Sequence, residues 1–164
     1  MSIPHVLAIP YPAQGHVIPM MELLQRFAKQ GFKVTMVNTE FIHKRVMQTL
    51  NEKDSNVVDT IHMTSIPDGL GPSDDRNDFV IALKAIFEVM PRKLEELIEK
   101  INETDDNKIT CLVADENMGW AFKVAEKFGI KKVAFWHAST ALLATSFNIT
   151  KLIVLKEFNI VLQD

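Results

Sequence analysis

The chain has a single cysteine, Cys111, among its 164 residues. A lone thiol cannot close an internal disulfide, so a reducing compartment suits it. Basic charge is not in excess: 18 Lys and Arg stand against 21 Asp and Glu, for a net charge of −3. That balance offers no electrostatic pull on a nucleic-acid backbone or an anionic bilayer, and no Lys/Arg cluster is interleaved with aromatics. Long apolar runs are lacking too, and no stretch approaches the roughly 18 residues needed to span a membrane. "MSIPHVLAIPYPAQGH" has no basic segment ahead of its short apolar run, so it does not read as a secretory leader. The expectation is a cytoplasmic protein with no nucleic-acid and no membrane partner.

Several chemical signatures are missing as well. No G-x-G-x-x-G follows the first apolar run and no G-x-x-x-x-G-K-[ST] occurs, which removes the usual dinucleotide and P-loop readings. There is no H-E-x-x-H, no cluster of Cys and His in sequence, and no G-x-S-x-G elbow, so neither a metal site nor a serine nucleophile is expected.

What is present is apolar sequence, 47% of the chain, enough for one domain with a sizeable core. "HVLAIP" (5–10), "FKVTMVNT" (32–39), "TIHMTSI" (60–66), "ITCLVAD" (109–115) and "KKVAFWH" (131–137) read as strands. Between them, Val17, Met20, Met21, Leu24 and Ala28 mark a helix face, with Pro19 suited to its first turn and Gly31 to its stop. Residues 40–50, 118–129 and 138–153 read as further helices, and 67–78 as a loop. "FVIALKAIFEVM" and "RKLEELIEKIN" flank Pro91, where a break or kink is expected. Cys111 reads as inert core, and His5, His43 and His62 as edge or surface residues.

Strands alternating with helices imply an α/β fold, a doubly wound parallel sheet with helices on both faces; the order expected for it is 3-2-1-4-5, in which strands one and four are neighbours on either side of the reversal. Ligands bind such sheets beyond the carboxyl ends of the strands, where the strand order reverses. "YPAQGH" (11–16) follows strand one and Asp115 ends strand four, so His16 and Asp115 face one crevice. A carboxylate on one ring nitrogen fixes the imidazole tautomer and aims the other nitrogen outward as a base. Helix capping is the competing use of both residues. Gly15 offers backbone freedom beside that base. Trp136 and His137, at the end of strand five, face the same crevice, for packing or for ligand contact.

"HVLAIPYPAQGHVIPMMELLQRFAKQGFKVTMVNTEF" strongly resembles the start of plant UDP-dependent glycosyltransferases, the family 1 enzymes of GT-B fold. "SIPDGL" (65–70), "CLVADENMGWAFKVAEKFGI" (111–130) and "VAFWHASTALL" (133–143) match the same family in the same order. The resemblance covers roughly residues 4 to 153. It implies inverting transfer of a sugar, usually glucose, from a UDP-sugar to a hydroxyl of a small acceptor such as a flavonoid or phenolic, with no cofactor and no metal. It implies His16 as the base, Asp115 as the residue that holds it, and substrate contacts at Gln14, Gly15, Trp136 and His137. Many members carry threonine or another small residue in place of His137.

The family's second Rossmann-like domain grips the UDP-sugar with a long motif of Trp, His, Asn, Ser, Glu and Gln, and residues 1–164 contain none of it. The expectation is therefore an incomplete N-terminal acceptor-binding domain over 1–153, a divergent tail over 154–164, and no C-terminal donor domain. On that reading the chain alone is inactive, and self-association through an exposed edge is expected. The alternative is a non-catalytic remnant or acceptor-binding module.

Overall fold

The computed structural model describes residues 3–53, 61–71, 73–76, 78–104 and 108–149. The elements run β1 (His5–Ile9), α1 (Gln14–Lys29), β2 (Lys33–Thr39), α2 (Glu40–Lys53), β3 (His62–Ile66), α3 (Phe79–Thr104), β4 (Ile109–Asp115), a 3-10 turn (Glu116–Met118), α4 (Ala121–Lys127) and β5 (Lys131–Phe135). A last helix, α5, runs over 140–149. The expected tail over 154–164, and the end of the helix expected over 138–153, lie outside the described residues. No helix among the described residues is long and apolar enough to cross a membrane.

All five strands are parallel, in the order β3-β2-β1-β4-β5. β1 sits at the centre and is buried along its whole length, which is why it reads as an unbroken apolar run rather than an alternating one. Its side chains alternate between two cores. Leu7 and Ile9 join Ile86, Leu94, Leu112 and Val124 on the face covered by α3 and α4. Val6 and Ala8 join Met20, Leu24, Val34 and Met36 on the face covered by α1.

Three features differ from the sequence expectation. First, α3 continues through Pro91 without a break. Ile86, Met90, Leu94 and Ile98 form a buried stripe at four-residue spacing on both sides of the proline. Burying four such side chains, at about 1.5–3 kcal/mol each, outweighs the roughly 3 kcal/mol that an interior proline costs. Second, α1 begins at Gln14, three residues before the apolar face starts, so Pro19 falls in the second turn and not the first. Third, His5 is buried, with Nε2 2.8 Å from Thr35 Oγ1. It is a core histidine held by a neighbouring strand, whereas His62 is exposed and His43 half-buried.

Cys111 is partly exposed and packs against the cluster under α1. Its thiol is still pushed above the usual range, chiefly by burial, which penalises the thiolate.

Candidate active site

β1 and β4 lie side by side at the reversal of strand order, and their carboxyl ends carry the two residues that the sequence singles out. After β1 the chain passes through Tyr11 and Pro12 and enters α1, with Ala13 as its cap. The amides of His16 and Val17 both bond to the Ala13 carbonyl, at 2.9 and 3.0 Å, so His16 stands in the first helical turn. "YPAQGH" is thus half helix, and not wholly the loop that the sequence suggests. Gly15 does not use the backbone freedom expected of it, since positive φ occurs only at Gly31, Gly69 and Gly129 among the described glycines. A Cβ on Gly15 would meet nothing within 4 Å. The glycine leaves open space beside the histidine.

His16 Nδ1 lies 2.8 Å from Asp115 Oδ2. The Asp115 side chain is fully buried, while 16% of the His16 side chain remains exposed. A carboxylate only accepts, so this contact puts the imidazole proton on Nδ1 and leaves a lone pair on Nε2. Asp115 Oδ1 accepts from the Asn117 amide at 3.0 Å, capping the 3-10 turn. The aspartate therefore does both jobs, one with each oxygen. The Asn117 bond fixes the carboxylate that in turn fixes the ring.

Tyr11 packs against the dyad, its ring centroid 5.1 Å from that of His16. Its phenol is raised above the usual range, first by burial and then by the negative charge of Asp115. It stays protonated at neutral pH.

His137, just beyond β5, joins the same cluster. Its ring centroid is 3.7 Å from that of His16, and its Nδ1 is 3.0 Å from Glu116 Oε1. His16, Asp115, Glu116 and His137 each offer one ligand atom, and these atoms lie within 4.8 Å of one another. Glu116 was not singled out by sequence reasoning. Its only signal is adjacency to Asp115. Trp136 stays farther off: its ring centroid is 6.4 Å from that of His137, and its indole N–H donates to the Ser139 carbonyl.

A cavity of about 600 Å³ is lined by Tyr11, Gln14, Val17, Met21, Phe41, Leu70, Arg76 and Phe79 among others; His16 and Asp115 do not line it, and Tyr11 is the residue that touches both the cavity and the His16 ring. Gln14 lines this cavity. One wall depends on the loop after β3. Gly69 turns there at φ +85°, and a Cβ would approach Val89 Cγ2 to 2.6 Å, so only glycine fits. Beside it, the buried Asp68 accepts from the Leu70 amide at 3.0 Å and pairs with Arg76 Nε at 3.3 Å. The Arg76 guanidinium lies over the Phe41 ring, 4.5 Å from its centroid. The wall is aromatic, and both of its cations, Arg45 and Arg76, lie over the Phe41 ring, Arg76 being paired with Asp68 as well.

Fold and site together define a class: a doubly wound α/β unit that presents a carboxylate-aimed imidazole at the switch point of the sheet, with Tyr11 between it and a largely apolar cavity. Comparison with known proteins names the family. No family model matches the chain. UDP-glycosyltransferase 83A1 of Arabidopsis thaliana is 44% identical over 158 residues, covering 93% of this chain and 34% of that protein. (R)-mandelonitrile beta-glucosyltransferase of Prunus dulcis is 35% identical over 139 residues, covering 83% of this chain and 29% of that protein. Among solved structures, Os79 from O. sativa in complex with U2F and trichothecene superposes with a TM-score of 0.71 at 26% identity, covering 88% of this chain and 32% of that one. The chain belongs to the plant UDP-glycosyltransferases and spans about one third of the length of the curated relatives it matches.

Proposed function

We propose that these residues form the acceptor-side half of an inverting UDP-sugar glycosyltransferase, with glucose as the sugar and a small apolar phenolic or flavonoid as the acceptor. The observation that carries this reading is the 2.8 Å contact between His16 Nδ1 and the buried Asp115 at the sheet's switch point. His16 Nε2 takes the proton of the acceptor hydroxyl. The acceptor oxygen attacks the anomeric carbon from the face opposite the leaving group. The bond from that carbon to the phosphate oxygen breaks, and UDP departs with the electron pair. Attack from the far face inverts the configuration.

Asp115 stabilises the imidazolium that forms, turning a net charge of −1 on the pair into zero. General-base help of this kind is worth about 10²–10⁴ in rate. The reaction is redox-neutral and both substrates supply every atom, so no organic cofactor enters. The aromatic wall at Phe41, Phe79 and Tyr11 suits a planar acceptor, and the space over Gly15 leaves room for substrate beside the base. On this reading Gln14, Gly15, Trp136 and His137 contact substrate, which the cavity position of Gln14 and the packing of His137 on His16 support.

Donor binding needs groups outside these residues. Positioning the anomeric carbon against the acceptor oxygen supplies about 7–11 kcal/mol of the barrier, more than the roughly 3–5 kcal/mol from the base. Residues 1–164 alone should therefore show no glucosyl transfer from UDP-glucose to flavonols or simple phenols. Joining them to the donor-side part of UDP-glycosyltransferase 83A1 should produce transfer, and His16→Ala in that chimera should remove most of it. Turnover by residues 1–164 unaided would defeat this division of labour. So would a chimera whose rate is indifferent to His16.

A further inference from the structure

The cluster of His16, Asp115, Glu116 and His137 has a feature that proton transfer does not use. Glu116 Oε2 and His137 Nδ1 are both shielded from solvent and have no hydrogen-bond partner. The 3.0 Å approach of His137 Nδ1 to Glu116 Oε1 lacks hydrogen-bond geometry, so it does not relieve either group. Buried polar atoms of this kind are normally satisfied. Here two orphans stand in one cluster, and their neighbours are a second imidazole and a second carboxylate.

We propose that these four residues form a binding site for a divalent transition-metal ion of the zinc type. Two imidazole nitrogens and two carboxylate oxygens make a donor set that suits Zn²⁺. With bonds near 2.0–2.1 Å, the ligand atoms of a tetrahedral site stand about 3.4 Å apart. The four atoms here lie within 4.8 Å of one another, so modest side-chain rotation closes the site. Glu116 and His137, each about a fifth exposed, have room for it. Asp115 is already anchored by the Asn117 amide, which fixes one ligand in advance. The residues come from the first turn of α1, the end of β4 and the chain just after β5, so no local sequence pattern announces the site.

An ion at this position takes electron pairs from the His16–Asp115 pair and competes with the proton for it. On the glycosyl-transfer reading, the metal is then an inhibitor and not a cofactor. Binding itself does not depend on that reading.

The test is calorimetric titration of the intact 164-residue chain with Zn²⁺. In parallel, Co²⁺ would be followed by its visible d–d bands, and X-ray absorption would be recorded at the bound metal. The expected result is one ion per chain, tetrahedral Co²⁺ bands, two imidazoles in the coordination shell, and at least about tenfold weaker binding in both His137→Ala and Glu116→Gln. The exposed His62→Ala should bind as the parent does. Should one variant fail to fold by circular dichroism, the other and the count of imidazoles on the parent chain decide. Absence of stoichiometric binding would overturn the proposal and leave His137 and Glu116 as an ion pair only. Binding that both variants retain at full strength, or a shell with fewer than two imidazoles, would overturn it equally.

Discussion

Asp115→Asn separates the two jobs of the buried aspartate. The substitution keeps the shape and leaves a side-chain oxygen to accept from the Asn117 amide, so the cap on the 3-10 turn survives. What changes is the group facing His16. An amide NH₂ turned to Nδ1 makes that nitrogen an acceptor, which moves the ring proton to Nε2, the atom that receives the acceptor's proton in the proposed function. In the serine-protease triad the same exchange costs roughly 10⁴ in kcat through the wrong tautomer, about 5 kcal/mol at 1.36 kcal/mol per decade. Folding should suffer far less. One charge-assisted bond, at 2.8 Å, becomes a neutral one, a difference of about 1 kcal/mol. The assay is the initial rate of glucosyl transfer in the chimera with the donor-side part of UDP-glycosyltransferase 83A1, run beside thermal melts of the same variants. A near-native melt with a rate down by three to four decades is expected. Were Asp115 only a helix cap, Asp115→Asn would melt and turn over like the parent, and a rate within about threefold of the parent would refute the dyad.

Gly15→Ala should leave the melt unchanged or raise stability by up to about 1 kcal/mol, because alanine favours a helix and its Cβ meets nothing within 4 Å. In the chimera it should raise KM, because the proposed function has substrate enter that space. An unchanged KM would place the substrate elsewhere. For Cys111, burial raises the thiol, so the thiolate appears only at higher pH than for a free cysteine. Alkylation by iodoacetamide at pH 8 should be slow in the native chain, accelerate as pH rises, and reach the rate of a free thiol in urea. Native and denatured rates that coincide at pH 8 would contradict that environment.

Much of this protein was legible in its sequence. β4 falls on 109–115 as read, and the other strands agree within two residues at either end. A strand covered on both faces must be apolar along its length, and that pattern survives in one dimension. The doubly wound sheet follows from alternating elements and crossover handedness, and the expected order 3-2-1-4-5, which the fold adopts, brings His16 and Asp115 together from 99 residues apart.

Other features depended on tertiary contacts. Ala13 caps α1 without a side-chain hydrogen bond, so nothing in the residue types marks the helix start, and Gln14, Gly15 and His16 look like loop. Pro91 reads as a helix breaker because propensity is local, whereas the buried stripe from Ile86 to Ile98 that overrides it is a property of the packed sheet. His5 looks like an edge residue until Thr35, on the neighbouring strand, supplies its partner. Glu116 carries no signal beyond its place after Asp115, and nothing in the residue pattern sets the His137 ring against it. Sequence determined which residues end the strands. Only the folded sheet, by setting β5 beside β4, decided that an imidazole from one strand end would lie against the His16 ring held by another.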